Sequence, residues 1–143
     1  MTRTFKYKSV DRPDGNIVKT PSVPVTLHGK IMSYDHMALL DSGADVSAMT
    51  KEIADLLGLN LAKKPEKTRG IGGEVESIES RVKITITQGH EKYTLDIPVN
   101  VILGDKDFPL LLGRAGFFEN FIVTFDETNQ RIKLKKINSA RVW

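Results

Sequence analysis

The sequence has 143 residues, 40% hydrophobic and 27% charged, which describes one ordinary globular domain with enough chain for a real core. Its 21 Lys and Arg against 18 Asp and Glu leave a net charge of +3, too small and too dispersed to mark a nucleic-acid surface. There is no cysteine, so disulfides, thiol catalysis and thiolate metal sites are excluded.

Short alternating runs broken by Gly, Pro, Asn and Asp dominate the chain, a pattern that predicts an all-β fold. Thr4 to Val10 sets Phe5 and Tyr7 against lysines and then meets the turn "RPDGN". Val23, Val25 and Leu27 alternate before His28-Gly29, and residues 31–40 pass through a polar "SYDH" break into an apolar run ending at Leu40. "TKEIADLLGL" carries Ile53, Leu56 and Leu57 at helical spacing, with Thr50 as N-cap and Gly58 as C-terminal stop. Val82, Ile84 and Ile86 form a strand, "QGHEK" a hairpin loop, and Tyr93, Leu95 and Ile97 the return, with Val99, Val101 and Leu103 following. After "GDKD" come the apolar "FPLLLG", a weaker helical segment in "RAGFFENF", and a last hairpin of "FIVTF" and "RIKLKKI" around "DETNQ". The basic residues Arg3, Lys6, Lys8, Arg131, Lys133, Lys135 and Lys136 alternate along the end strands and read as solvated strand faces.

The first ten residues hold no apolar core of a signal peptide, and no apolar run approaches the ~18 residues of a membrane span. The chain as given therefore reads as soluble and cytoplasmic, with neither membrane nor nucleic acid as partner. His28, His36 and His90 sit beside turn signals without metal-ligand spacing and read as solvated loop histidines, so neither metal nor cofactor is expected.

Three stretches carry chemistry. "ALLDSGADVS", residues 38–47, places the acid Asp41 behind two leucines and in front of a Ser-Gly turn. A buried, unpaired carboxylate is costly, so Asp41 needs a partner or a reason. Alone, Asp-Ser-Gly reads more readily as a plain turn than as a site. "RGIGGEVES", residues 69–77, gathers Gly70, Ile71, Gly72 and Gly73 into a hairpin tip whose small bulk lets backbone approach a ligand; its bland counterpart is a flexible hairpin. It lacks the Lys-Ser/Thr and the strand-loop-helix setting of a phosphate loop. "PLLLGRAGFF", residues 109–118, is a second apolar strand ending in Gly, with Arg114 next to it.

In this order and spacing the three resemble the retropepsins, the homodimeric aspartic proteases of retroviruses and their cellular and bacterial relatives. The resemblance covers about residues 23–136. "LLDSGAD" is similar to the family's active-site turn, "GIGG" to its flap tip, and Leu111, Leu112 and Gly113 to its second hallmark of two apolar residues then Gly. It implies a retropepsin-like acid-protease barrel with one or two short helices over residues 23–137. Residues 1–22 are then an N-terminal arm or added strand, and residues 138–143 a C-terminal tail. "LLGRAGFFENFIVTFD" points toward the cellular or bacterial branch. The chain departs from the viral members in having Ser42 where Thr is usual.

Aspartic peptidolysis needs two carboxylates within about 3 Å sharing one proton, one acting as base toward water and the other as acid toward the scissile carbonyl. This chain has a single Asp-Ser/Thr-Gly; Asp96, Asp105 and Asp126 do not repeat the turn. A C2 homodimer supplies the second Asp41, because the same patch meets itself across the axis. By the resemblance, Ser42, Gly43 and Ala44 complete the turn, Ser42 locking the two copies together and Gly43 passing close to substrate. Asp45 would pair with Arg114, residues 70–73 would close over an extended peptide, and residues 131–137 would help build the dimer. The implied function is an aspartic endopeptidase acting on peptides or proteins. The alternatives are a dimerisation or peptide-binding module on the same fold, with little turnover, and a glycosidase, for which no second acid has a comparable setting. A serine-hydrolase reading lacks its G-x-S-x-G elbow.

Overall fold

The structure, a computed structural model, describes residues 2–70, 73–105 and 107–137. Ile71 and Gly72 of the expected flap tip, and the expected tail 138–143, lie outside the described residues. The chain runs β1 (Thr2–Lys6), β2 (Lys8–Asp11), β3 (Ile17–Thr20), β4 (Ser22–His28), β5 (Ser33–Leu40), β6 (Ser47–Thr50) and α1 (Lys51–Leu57). It continues as β7 (Glu66–Gly70), β8 (Gly73–Gln88), β9 (Glu91–Ile102), β10 (Leu110–Leu112), β11 (Phe121–Asp126) and β12 (Arg131–Lys136). The fold is all-β.

A seven-stranded sheet in the order β4-β5-β10-β6-β9-β8-β7 curls until β4 also pairs with β8, which closes six strands into a barrel and leaves β7 outside it. β8 makes this possible by its length of 16 residues. One edge pairs with β9 from Ser77 to Gln88, while the other serves β7 near its start and β4 farther along. The inward positions alternate as expected for strands with one buried face: Val23, Val25 and Leu27 on β4, Val82, Ile84 and Ile86 on β8, and Ile97, Val99 and Val101 on β9 are all buried.

A three-stranded sheet, β1-β12-β11, packs beside the barrel through Phe5, Phe121, Ile132 and Leu134. Residues 131–137 were expected at a dimer contact, but β12 is the middle strand, paired to β1 on one side and β11 on the other. Among the described residues the outer strands of this sheet are β1 and β11. Arg3 departs from the solvated-face expectation, since it is ion-paired to Glu91 at the start of β9. β2 and β3 form a two-stranded sheet of their own.

α1 follows its local signals. The Thr50 hydroxyl accepts the Ile53 amide at 3.4 Å, and Gly58 closes the helix at φ 74°. "SYDH" is not a break but the first half of β5, paired to β4 throughout, with Tyr34 stacked on His36 at 5.4 Å between ring centroids. His28 and His36 are therefore strand residues rather than loop histidines; His28 Nε2 lies 2.7 Å from the Thr85 hydroxyl oxygen. The segment after Gly113 forms turns and one 3-10 turn, Phe118–Asn120, instead of an α-helix. Gly116 at φ 83° interrupts it and lets Phe117 bury completely.

Candidate active site

The site is built where two strand ends meet. β10 lies parallel to β5, with Leu110, Leu111 and Leu112 opposite Ala38, Leu39 and Leu40. The parallel register delivers Asp41 and Gly113, the next residue on each strand, to the same end of the sheet. After Asp41 the chain turns and returns as β6, which pairs with the other edge of β10 at Ala48–Leu111. β10 thus fills the slot between two limbs of one loop.

Backbone hydrogen bonds lock the crossing. Asp41 N–H donates to the Leu112 carbonyl at 3.0 Å, Arg114 N–H to the Ala44 carbonyl at 2.9 Å, and Ala115 N–H to the Asp45 carbonyl at 2.9 Å. Inside the turn, Gly43 N–H donates to Asp41 Oδ1 at 2.9 Å, which fixes the carboxylate's rotation. A Cβ on Gly43 would stand 3.2 Å from that same oxygen. At Gly113 a Cβ would stand 2.7 Å from the Val46 carbonyl carbon, so only glycine lets the strand end lie this close to the turn.

The side chains separate by exposure. Asp41 and Ala44 are half-buried, and Ser42, Gly43 and Asp45 are exposed. Ser42 makes no side-chain hydrogen bond among the described residues. The Arg114 guanidinium is ion-paired to the Asp45 carboxylate. Both groups are largely exposed in the single chain, where such a pair is worth about 0–1 kcal/mol; it links the turn to the residue after Gly113. Leu112 is fully buried and Leu111 half-buried.

Sequence reasoning missed Ser47. It is fully buried, and its hydroxyl accepts the Gly113 amide at 3.0 Å, tying the first motif to the second. Ser47 alternates with Met49, both facing inward, but two positions are too short a pattern to mark a strand in the sequence.

β7 and β8 project as a hairpin from the barrel wall, with Gly70 opposite Gly73 at the last described pair. Gly73 has φ 107°, open only to glycine at low cost. At the root, the Thr68 and Ser77 hydroxyl oxygens lie 2.6 Å apart, and Leu103 N–H donates to the Glu76 carbonyl at 2.8 Å. Among the described residues no group of three or more His, Cys, Asp or Glu is placed to hold a metal, and no helix is long and apolar enough to cross a membrane.

A family model described as aspartyl protease matches residues 23–115, spanning both strand ends, the turn and the projecting hairpin. The chain belongs to the aspartyl protease family, in its retropepsin-like form. Its fold is similar to that of a retropepsin-like aspartic protease from Rickettsia conorii, with 24% identity and a TM-score of 0.53 over 94% of this chain and 92% of that one. EIAV protease complexed with the inhibitor HBY-793 matches at 25% identity and a TM-score of 0.41, over 67% of this chain and 83% of that one. No curated protein matches the chain significantly.

Proposed function

We propose that this retropepsin-like chain is an endopeptidase that works as a C2 homodimer, with the Asp41 carboxylates of two copies forming the catalytic dyad. The observation that carries the reading is the crossing of the two strand ends. It presents one half-buried carboxylate, held at a fixed rotation by the Gly43 amide, on a turn whose neighbours are exposed. That is half of a two-carboxylate site, facing outward where a second copy would complete it.

In the dimer one Asp41 accepts a proton from water while the other donates one to the scissile carbonyl oxygen; the attacking oxygen, now bonded to carbon, yields a tetrahedral intermediate. The Asp41 that took the water proton then gives it to the leaving nitrogen as the C–N bond breaks, while the other Asp41 takes back a proton from a hydroxyl of the intermediate, which re-forms the carbonyl and restores the pair. Ser42 of each copy holds the two turns together, and the Asp45–Arg114 pair keeps each turn from shifting. Residues 70–73 cover an extended peptide from above and exclude water from the dyad. Residues 23–137 are the catalytic unit in this reading, and residues 1–22 add a strand to its second sheet.

The deciding experiment is digestion of a peptide library across acidic to neutral pH, with and without a statine peptide, for the native protein and Asp41→Asn. Cleavage that the statine blocks, and that Asp41→Asn lowers by about a thousandfold or more, is the expected result. Undiminished cleavage by Asp41→Asn, or a protein that stays monomeric at high concentration, would sink the reading. Tight peptide binding with no cleavage at any pH would favour the binding-module alternative.

A further inference from the structure

Between the β2–β3 hairpin and the end of β5 lies a groove of about 600 Å³ that reaches Leu39, two residues before Asp41. Leu39 on β5 with Phe108 and Pro109, the residues leading into β10, line it on one side, the inner wall, and Val10, Arg12 and Pro13 on the other, the outer wall, with Asp11, His36 and Asp107 among the polar remainder of the lining. The inner wall is continuous with the active-site crossing, because Leu39 pairs with Leu111 and Asp41 N–H with the Leu112 carbonyl. Leu39 lies two residues before Asp41, so the two side chains leave the same side of the extended chain about 7 Å apart. An extended peptide has that same two-residue repeat. A peptide lying along the end of β5 with its scissile bond at Asp41 would carry a nearby side chain over Leu39 toward the groove.

The outer wall is built with a fixed shape of its own. Hairpins standing alone are marginal, yet this one is braced by its own turn. Arg12 N–H donates to the Asn16 carbonyl at 2.8 Å and Gly15 N–H to the Arg12 carbonyl at 3.0 Å. The Asp14 carboxylate takes both the backbone and the side-chain amide of Asn16, at 2.9 and 3.0 Å. At the base, the Thr20 hydroxyl contacts the Ser22 hydroxyl at 2.9 Å. Val10 stands opposite Val18, so one hairpin face is apolar in its middle, and Val10 remains 43% exposed because it borders the open groove. The hairpin also precedes the segment that the family model matches, which starts at residue 23.

We infer that the β2–β3 hairpin is a specificity element, closing the outer side of a subsite that takes a large apolar side chain of the peptide substrate close to the scissile bond. The inference rests on the peptidase reading above. Apolar contact with Leu39, Phe108, Pro109 and Val10 selects the side chain, and the hydrogen-bonded turn sets the hairpin's own shape before the peptide arrives. A C2 dimer carries one such groove on each side of the cut.

The test uses statine peptides that differ only by Phe or Ala at each flanking position in turn, with binding measured by calorimetry. The proteins are the native chain, Val10→Glu, and a chain in which residues 9–19 are replaced by Asn-Gly. The replacement is sterically simple, because Lys8 and Thr20 are already paired across the hairpin and β2 and β3 pair with no other strand. Native protein is expected to prefer Phe about tenfold at one flanking position. Val10→Glu and the shortened chain are expected to reduce that preference to about twofold, with affinity for the Ala peptides nearly unchanged. An unaltered Phe preference in folded Val10→Glu overturns the inference while leaving the peptidase reading intact. If the native protein binds none of the statine peptides, the peptidase reading falls and takes the subsite with it.

Discussion

Ser47 and Gly113 show how closely the site depends on single atoms. The Gly113 amide is buried behind the turn, and its hydrogen-bond acceptor is the Ser47 hydroxyl. Ser47→Ala leaves that amide unpaired, at a cost of about 1–3 kcal/mol. Gly113→Ala pushes a methyl group against the Val46 carbonyl carbon, and backbone on both sides prevents easy relief. A similar loss of about 1–3 kcal/mol is expected there. Urea denaturation of both variants measures these losses, and a change under half a kcal/mol in either would mean the crossing is looser than its distances indicate. Asp41, Gly113 and Arg114 were visible in the sequence because short, ordered motifs carry them. Ser47 was not, because its acceptor role depends on a residue 66 positions away. A serine after Asp-Val reads as a turn former until β10 is known to lie against it.

Elements were legible where their signals are local. α1 announces itself through Thr50, its periodic Ile and Leu, and Gly58, and it forms over Lys51–Leu57. β6 gave no such notice. Four residues, "SAMT", hold too short an alternation, and they become a strand only because β9 and β10 supply both neighbours. The same effect turns polar "SYDH" into strand, since β4 pairs with it residue by residue. Long-range pairing also ties β1 to the barrel through Glu91. The Tyr93 hydroxyl donates to the Glu91 carboxylate at 2.6 Å, and Arg3 is ion-paired to it. The Tyr93 hydrogen bond first, and Arg3 after it, hold Glu91 below the usual carboxylate range. A carboxylate with a lowered pKa in the folded state adds stability that is present above its unfolded value and is lost as pH falls through the folded one. The urea midpoint of the native protein should therefore drop as pH falls below the ordinary glutamate range. Glu91→Gln should begin lower and drop less steeply, although Asp126, lowered by its hydrogen bonds from Asn129, leaves part of the slope in place. Parallel pH curves for the two proteins would show that Glu91 does not couple β1 and β9 to pH.

For the whole molecule, the proposed two-fold symmetry is the consequential property, and it makes a quantitative claim on mixtures. If each active centre needs one Asp41 from each copy, a heterodimer of native and Asp41→Asn chains has a single carboxylate and lacks the second partner for proton exchange. Equal amounts of the two chains, equilibrated through dissociation, give native homodimers as about a quarter of all dimers by random pairing across an isologous interface. Activity per native chain should then fall to about half, and a large excess of Asp41→Asn should drive it toward zero. Among the described residues the outer strands β1 and β11, rather than the enclosed β12, are where the second sheet would have backbone groups to offer such a partner. If the variant acts only as an inert diluent, activity per native chain stays constant at every ratio, and each chain must then hold a complete centre of its own. That outcome would require a second acid beside Asp41. Among the described residues the turn's other acid, Asp45, is already engaged by Arg114. The mixing curve thus reads out directly whether the catalytic pair belongs to one chain or to the axis between two.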